Sequence, residues 1–132
     1  IMVVSSVAAF SPPSSIQALY GPIKTFMNRF SDSININYNH KGITSTAVCP
    51  GFTVTGFHTA SGVQDEMDRV PKFMKFSAKR VASEAVEATL SGKSLCVPTK
   101  TYKILVFILK HIPESVMSIF GKGLAPGRYD KK

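Results

Sequence analysis

The chain has 132 residues, 44% of them apolar and 18% charged, so it can form one small domain with a core and is too apolar to be disordered. Its net charge is +8, but the basic residues form no stripe interleaved with aromatic side chains, which argues against nucleic-acid binding. Cys49 and Cys96 lack metal-ligand spacing and a Cys-x-x-Cys partner, so we expect buried free thiols in a reducing compartment.

The first predicted elements are a strand and a helix. The apolar run IMVV at residues 1–4 predicts a short strand buried on both faces, as in a parallel sheet. A turn signal, SPPSS, follows at residues 11–15, and apolar residues then recur at helical spacing between residues 16 and 30. Because Pro22 is tolerated only in the first turn of a helix, we expect the helix to begin near residue 20 or 21.

The next stretch leads from this helix into a second strand. SININYNHKG at residues 33–42 alternates like a strand, yet we interpret it as the end of the same helix, closed by Gly42. ITSTAV at residues 43–48 is rich in β-branched residues and stops at Pro50-Gly51, so it predicts the second strand.

The second half continues this alternation. Residues 52–74 have weak periodicity and predict a long excursion with one short helix. SAKRVASEAVEATLSG at residues 77–92 is the clearest helix, and SLCV at residues 94–97 predicts a third strand. Two helices, at residues 102–111 and 113–120, and a polar tail complete the chain.

Strands and helices therefore alternate along the chain, which predicts an α/β fold with a parallel sheet. Three strands make a thin sheet with exposed edges. We therefore expect residues 1–132 to be a single partial domain, a piece of a larger one.

A tyrosine and a lysine stand out at the start of the first helix. Tyr20 and Lys24 are four residues apart, which places them on one helical face, one turn from each other. A lysine ammonium near a tyrosine favours the phenolate form, which suits an acid–base catalyst near neutral pH. Tyr-x-x-x-Lys is common by chance, so the pair alone favours an exposed tyrosine and a solvated lysine over a catalytic centre.

Taken together, the motifs resemble the catalytic half of the short-chain dehydrogenase/reductase family. VVSSVAAF at residues 3–10, YGPIK at 20–24 and the stretch at 30–57 match its order of a strand ending in serine, a Tyr-x-x-x-Lys helix, a strand and Pro-Gly-x-x-x-Thr. The match continues to the final helices. The resemblance implies a Rossmann-like three-layer sandwich with parallel strands only, the C-terminal portion of a domain whose N-terminal dinucleotide-binding half is absent.

The resemblance implies a role for each matching residue at the reacting centre. Ser6, with Ser5 as the alternative, would polarise the oxygen of the substrate. Tyr20 would donate or accept the proton. Lys24 would hold the ribose hydroxyls of the nicotinamide cofactor and favour the phenolate, so Tyr20 and Lys24 would also contact the cofactor.

The resemblance also implies four further cofactor-binding residues. Pro50 and Gly51 would shape the loop beneath the nicotinamide. Thr53 and Thr55 would lie against its ring, with Thr55 expected at the carboxamide. Residues 57–74 would form the variable substrate-binding loop, and residues 101–121 would form the C-terminal helices.

The sequence departs from the family pattern in three ways. Ser6 and Tyr20 are one residue further apart than is commonest, which leaves the choice between Ser5 and Ser6 open. Pro22 and Ile23 replace a small residue and a Ser or Thr, which removes a backbone N–H and a hydroxyl. No predicted strand is followed by the Gly-rich turn that grips a pyrophosphate, and the family's Asn-Ala-Gly segment is missing.

The resemblance implies an oxidoreductase that transfers a hydride between a nicotinamide cofactor and a carbonyl or secondary alcohol, with this piece inactive alone. NADP is slightly favoured over NAD, and the substrate is expected to be a small, apolar carbonyl or alcohol. The full-length protein is expected to be a homo-oligomer in the cytoplasm or at a membrane surface. The alternative is a non-catalytic interaction or membrane-surface module built on the same fold.

Three roles are open for the apolar stretch near the C-terminus. ILVFIL at residues 104–109 is apolar all round and much too short to cross a bilayer. With lysines nearby it could lie on a membrane surface, pack in the core and against a second subunit, or cover an apolar substrate. His40, His58 and His111 share no spacing and predict no metal site.

Overall fold

The computed structural model describes residues 1–12, 18–56, 60, 64–113, 115 and 116. Strands in these ranges are β1 (Met2–Val4), β2 (Thr46–Val48), β3 (Thr53–Val54), β4 (Phe76–Ser77) and β5 (Leu95–Cys96). The first, second and fifth form a three-stranded sheet in the order β1-β2-β5, and both pairings are parallel. This confirms the predicted parallel α/β sheet and its three strands.

Helices connect the strands. They are α1 (Tyr20–Tyr38), α2 (Gln64–Arg69), α3 (Ala78–Leu90) and α4 (Lys100–His111). Short 3₁₀ turns occupy Val7–Phe10, Asn39–Lys41 and Lys72–Met74. Within the described ranges, none of the helices is long and apolar enough to span a membrane. The predicted turn at 11–15 and helix at 113–120 lie largely outside the described residues.

α1 begins at Tyr20, as the position of Pro22 predicts. The first N–H that bonds within the helix belongs to Ile23, which donates to the Leu19 carbonyl at 2.9 Å. Pro22 lies in the turn before it, where a helix does not use its own N–H groups, so the proline costs no helical hydrogen bond. The helix ends through a 3₁₀ turn at Gly42, whose φ of 78° suits glycine, so residues 33–42 are mainly helical as interpreted.

The second strand is shorter than predicted because an asparagine takes its first hydrogen bonds. Asn35 Oδ1 accepts the Ser45 N–H at 2.8 Å, and Asn35 Nδ2 donates to the Ser45 carbonyl at 2.7 Å. The hydroxyls of Ser45 and Ser31 lie 2.8 Å apart, and both residues are fully buried. These polar contacts tie α1 to the segment before β2, so pairing begins at Thr46 and not at residue 43.

α1 and α3 cover opposite faces of the sheet. Neighbouring residues in an extended segment point to opposite faces. Cys49 points toward α1, where its Sγ lies 3.3 Å from Asn28 Oδ1. Val48 points the other way and packs with Ala85 and Ala88 of α3. The architecture is therefore three-layered, as the resemblance implies.

The first strand is less buried than predicted. Met2 is 39% exposed and Val4 is 55% exposed, so the prediction of burial on both faces is wrong for β1. In the β1–β2 register these residues lie beside Thr46 and Val48, on the α3 side of the sheet. Because α3 packs over β2 and β5, it leaves the β1 end of that face open.

The excursion after β2 contains the expected short helix, α2, and ends in a strand pair that was not predicted. β3 and β4 pair in parallel, with Thr53 beside Phe76 and Val54 beside Ser77. Strands of two residues leave no periodic signature in a sequence. Their pairing brings the start of the excursion next to its end.

Glu84 joins α3 to the start of α4. Its Oε2 accepts the Thr99 N–H at 2.9 Å and lies 3.7 Å from Lys103 Nζ, and its Oε1 lies 3.4 Å from Arg80 Nε. Partial burial by itself would raise the pKa of this carboxyl, but the Thr99 N–H and the two cations outweigh burial and lower the pKa. Glu84 thus holds Thr99 at the N-terminus of α4. Thr99 has a φ of 70°, and its buried hydroxyl has no hydrogen-bond partner among the described residues.

We expect Glu84 to make stability depend on pH in the acid range. A carboxyl with a lowered folded pKa stabilises the fold above its unfolded value of 4.5, and this contribution is lost as the pH falls through the folded value. Glu84→Gln should therefore cost about 1 kcal/mol at neutral pH, and less as the pH falls. Urea unfolding at neutral and acid pH measures this, with Glu87→Gln, an exposed carboxyl on the same helix, as the control. Equal losses at both pH values would contradict the prediction.

Candidate active site

The carboxyl ends of β1 and β2 meet at one edge of the sheet, the edge at which open α/β sheets bind ligands. β1 is followed there by Ser5 and Ser6, and β2 by the loop that contains Pro50. The Ser5 N–H donates to the Val48 carbonyl at 2.7 Å, and the Val7 N–H donates to the Pro50 carbonyl at 3.0 Å. Ser6, between these two bonds, therefore lies beside the Pro50 loop.

Lys24 ties the start of α1 to the end of β1. Its Nζ donates to the Val4 carbonyl at 3.2 Å, and the Ser5 hydroxyl donates to the Lys24 carbonyl at 2.9 Å. The same ammonium lies 5.6 Å from the centroid of the Tyr20 ring and 3.7 Å from Met27 Sδ. The structure thus places the tyrosine and lysine together, against the strand that ends in the two serines.

The two serines are held differently. Ser5 is 3% exposed, and its hydroxyl proton goes to the backbone of α1 at Lys24. Ser6 is 9% exposed and caps the following 3₁₀ turn, because its hydroxyl oxygen accepts the Ala8 N–H at 3.2 Å. A hydroxyl that accepts a bond keeps its own proton to donate. The arrangement therefore favours Ser6 over Ser5 as a donor to a ligand.

The 3₁₀ turn after β1 holds the first turn of α1. The Thr25 hydroxyl donates to the Ala9 carbonyl at 2.9 Å. Gly21 packs against the same turn, and a Cβ there would lie 3.4 Å from the Ala8 oxygen, in van der Waals contact. These contacts pack the turn that follows Ser6 against the start of α1, where Tyr20 lies. Some of the residues between Ser6 and Tyr20 lie outside the described ranges.

A residue that the sequence analysis does not single out, Tyr102 of α4, fixes the loop after β2. Its ring covers Gly51, where a Cβ would lie 2.0 Å from the ring Cζ. Its hydroxyl accepts the Phe52 N–H at 3.0 Å and donates to the Met74 carbonyl at 2.8 Å. One side chain, 1% exposed, therefore holds both ends of the excursion between β2 and β4.

Tyr102 must keep its hydroxyl proton in order to donate it to the Met74 carbonyl. Burial raises the pKa of its phenol, and the Phe52 N–H offsets only part of that rise, so the hydroxyl keeps the proton that it donates to Met74. One signal in the sequence could have indicated this residue. A tyrosine on the buried face of an otherwise apolar helix needs a partner for its hydroxyl.

The two predicted threonines lie further along the same loop. The Thr53 hydroxyl donates to the Gly51 carbonyl at 3.1 Å, and Thr53 pairs with Phe76 between β3 and β4. Thr55 lies one residue past β3 and is exposed. Their expected contacts with a nicotinamide stay predictions. The expected substrate loop at 57–74 is described only in part, because residues 57–59 and 61–63 lie outside the described ranges.

The cysteines are free and buried, as predicted. Burial raises the pKa of both thiols, Cys49 and Cys96, so neither is a reactive thiolate at neutral pH. Among the residues that the structure describes, no group of three His, Cys, Asp or Glu side chains could hold a metal ion. The polar side chains that the described residues bring to this edge include the Ser6 hydroxyl and the Lys24 ammonium, which lies beside the Tyr20 ring.

These groups fit the ribose of a nicotinamide nucleotide. A ribose diol needs both donors and acceptors, and the Lys24 ammonium and Tyr20 hydroxyl supply both, one helical turn apart. The described contacts of Lys24 Nζ are to the Val4 oxygen and the Met27 sulfur. Since an ammonium has three donors, one is left for a ligand hydroxyl.

No protein-family model matches the chain. A first likeness, in sequence, is to curated proteins. Curated relatives include a probable oxidoreductase, EphD, of Mycobacterium bovis and of two strains of Mycobacterium tuberculosis. Each is 26% identical over 131 residues, and the match covers 89% of this chain and 22% of the relative. The chain therefore spans about a fifth of the length of these relatives.

The second likeness is to a solved structure, a short-chain dehydrogenase from Sphingobium yanoikuyae in complex with NADPH. The two superpose with a TM-score of 0.69 at 22% identity, and the match covers 98% of this chain and 48% of the other. The resemblance stated from the sequence is confirmed at the level of fold: the chain has the fold of a short-chain dehydrogenase, over a stretch that matches about half of one.

Proposed function

We propose that the protein containing this chain is an oxidoreductase of the short-chain dehydrogenase type. It would transfer a hydride between a nicotinamide cofactor and a carbonyl or secondary alcohol. The observation that carries this proposal is the contact of Lys24 with both the Tyr20 ring and the end of β1. The contact supports it because the phenol ring and the cation lie beside the end of β1, which Ser5 and Ser6 follow, at the edge where open α/β sheets bind ligands. The relatives named as probable oxidoreductases support the same class.

Tyr20 would transfer the proton. During reduction of a carbonyl, negative charge develops on the oxygen, and a phenol within hydrogen-bond reach can neutralise it; in the reverse direction the phenolate takes the proton back. The Lys24 ammonium lies 5.6 Å from the centroid of the ring whose hydroxyl would carry this proton. Proton transfer by a positioned group contributes about a hundredfold to ten-thousandfold to the rate.

Ser6 would hold the oxygen of the substrate. Its own oxygen accepts the Ala8 N–H, so the orientation of the hydroxyl is restricted before any ligand arrives. A donor fixed in advance stabilises developing charge without reorganisation. Ser5, whose proton is bonded to the α1 backbone, would position the helix and would not contact the substrate.

A bound nicotinamide nucleotide would supply or accept the hydride. Lys24 would hold its ribose hydroxyls, the Pro50-Gly51 loop would lie beneath its ring, and Thr53 and Thr55 would lie against it. We propose the NADP form, because the solved short-chain dehydrogenase that shares this fold is in complex with NADPH. The substrate would be a small carbonyl or alcohol that enters beside the excursion whose ends Tyr102 holds.

The test is a hydride-transfer assay on the full gene product that carries this chain, with NADPH or NADH and a panel of aldehydes and ketones. The absorbance of the reduced nicotinamide reports turnover, and its fluorescence reports binding. We expect binding of at least one cofactor and oxidation of it with at least one carbonyl. A folded protein that binds neither cofactor would show that the proposal is wrong.

The alternative is a non-catalytic module with the same fold. It is motivated by Pro22 and Ile23 inside the Tyr-x-x-x-Lys motif. The helix tolerates Pro22, since helical hydrogen bonding in α1 begins at Ile23 and does not use the N–H that a proline lacks. The hydroxyl that Ile23 lacks still supports the alternative. The alternative would be favoured by a protein that binds cofactor without turning over any member of the panel.

A further inference from the structure

The last described helix is apolar on two faces. On one face of α4, Tyr102 and Val106 are buried against the loop after β2 and its neighbours. On the other face Ile104, Phe107 and Ile108 are 62%, 63% and 49% exposed. Residues three and four apart lie together on a helix surface, so these three side chains form one continuous patch, which we call the α4 stripe. Nothing in the described part of the chain buries it.

The surroundings of the α4 stripe are basic. The exposed side chains of Lys100, Lys103 and Lys110 lie on the same helix, and the sequence from residue 93 to residue 113 contains no aspartate or glutamate. One acidic group approaches from outside, because Glu84 lies 3.7 Å from Lys103 Nζ. Lys100 and Lys110 have no ion pair in the described part of the chain. The ammonium of Lys110 reaches along the protein surface to lie over the Phe10 ring at 4.9 Å.

We propose that the α4 stripe lies on the surface of an anionic membrane. Exposed apolar side chains bordered by lysines are the pattern of a helix that lies in the interface, with its apolar face in the lipid and its cations at the head groups. The charge of this face argues against a second copy of it as the partner, because two α4 helices would bring together the unpaired Lys100 and Lys110 of each copy. Phosphate-bearing lipid supplies the opposite charge and the apolar layer in one partner.

The test is co-sedimentation of the full gene product with vesicles of phosphatidylcholine containing about 30% phosphatidylserine, beside vesicles of phosphatidylcholine alone. We expect binding to the anionic vesicles that weakens with added salt. Replacing the apolar pair by Ile104→Ser and Phe107→Ser should lower the partition coefficient at least about tenfold. Replacing Lys100 and Lys110 by glutamine should lower it about tenfold. Neither pair belongs to the proposed active site.

The matched control is Phe26→Ser with Phe30→Ser. These two residues are 68% and 52% exposed on α1, so they offer a similar apolar area on another helix, beside an Asp32–Arg29 pair. Circular dichroism and hydride transfer verify that each variant folds.

The proposal is overturned if the wild type does not sediment with anionic vesicles, or if the α1 control loses as much binding as the α4 variant. It is equally overturned if the α4 variant only converts a dimer to a monomer in light scattering. Loss of vesicle binding with turnover intact would separate this inference from the proposed enzyme activity.

Discussion

Tyr20→Phe should lower kcat by about a thousandfold, the middle of the range for a positioned proton-transfer group. Phenylalanine keeps the ring that lies 5.6 Å from the Lys24 ammonium, so the packing at the start of α1 should survive and only the hydroxyl is removed. Because Lys24 and the Pro50-Gly51 loop remain, we expect the cofactor to bind within a few-fold of its wild-type affinity. Steady-state kinetics and a fluorescence titration with the reduced cofactor measure the two effects separately.

The chain provides a matched control for this substitution. Tyr38, on the same helix, is exposed and lies 5.9 Å from the Lys41 ammonium, which makes it a second tyrosine–lysine pair of similar geometry. It lies at the other end of α1, away from the serines. Tyr38→Phe should leave kcat unchanged. If Tyr20→Phe kept full turnover, or if both variants lost the same activity, Tyr20 would not be the proton donor.

The sequence carried enough information to locate α1 and the pair on it. Pro22 limits where the helix can begin, Gly42 limits where it can end, and the interval between them fixes Tyr20 and Lys24 on one face. The bonds of Asn35 and Ser31 to Ser45 join residues 10 and 14 positions apart and hold the end of this helix from a distance. The alternation at residues 33–42 taken alone predicts a strand, and Gly42 is the local signal that favours a helix end there. Local signals of this kind act on neighbouring residues, which is why they can be interpreted from one sequence.

What the sequence could not provide depends on contacts between distant residues. The exposure of β1 follows from the position of α3, and the pairing of β3 with β4 joins residues more than twenty positions apart. Neither leaves a periodic pattern. The choice between Ser5 and Ser6 was open for the same reason, since it depends on which hydroxyl proton is already bonded to Lys24.

Gly51 is the clearest case, and Gly51→Ala should destabilise the protein by about 3 kcal/mol or more. The added Cβ would lie 2.0–2.3 Å from three atoms of the Tyr102 ring. That ring cannot move aside without breaking the bonds of its hydroxyl to Phe52 and Met74. Among the glycines that the structure describes, Gly42 and Gly92 have positive φ and Gly51 does not, so the cost at Gly51 comes from the contact and not from an unusual backbone. Urea unfolding of the variant measures the loss.

A second glycine and a double mutant separate this contact from a general intolerance of alanine. A Cβ at Gly56 would meet nothing within 4 Å, so Gly56→Ala should change stability by less than about 0.5 kcal/mol.

Tyr102→Leu should destabilise by removing the ring and both of its hydrogen bonds, and it should also remove the atoms that the alanine would strike. The double mutant should therefore be more stable than the sum of the single losses predicts, by about 1 kcal/mol or more. Strict additivity would mean that Gly51 is glycine for another reason, such as close approach of the cofactor. Rescue of stability without rescue of turnover would show that Tyr102 shapes the loop for catalysis as well as for folding.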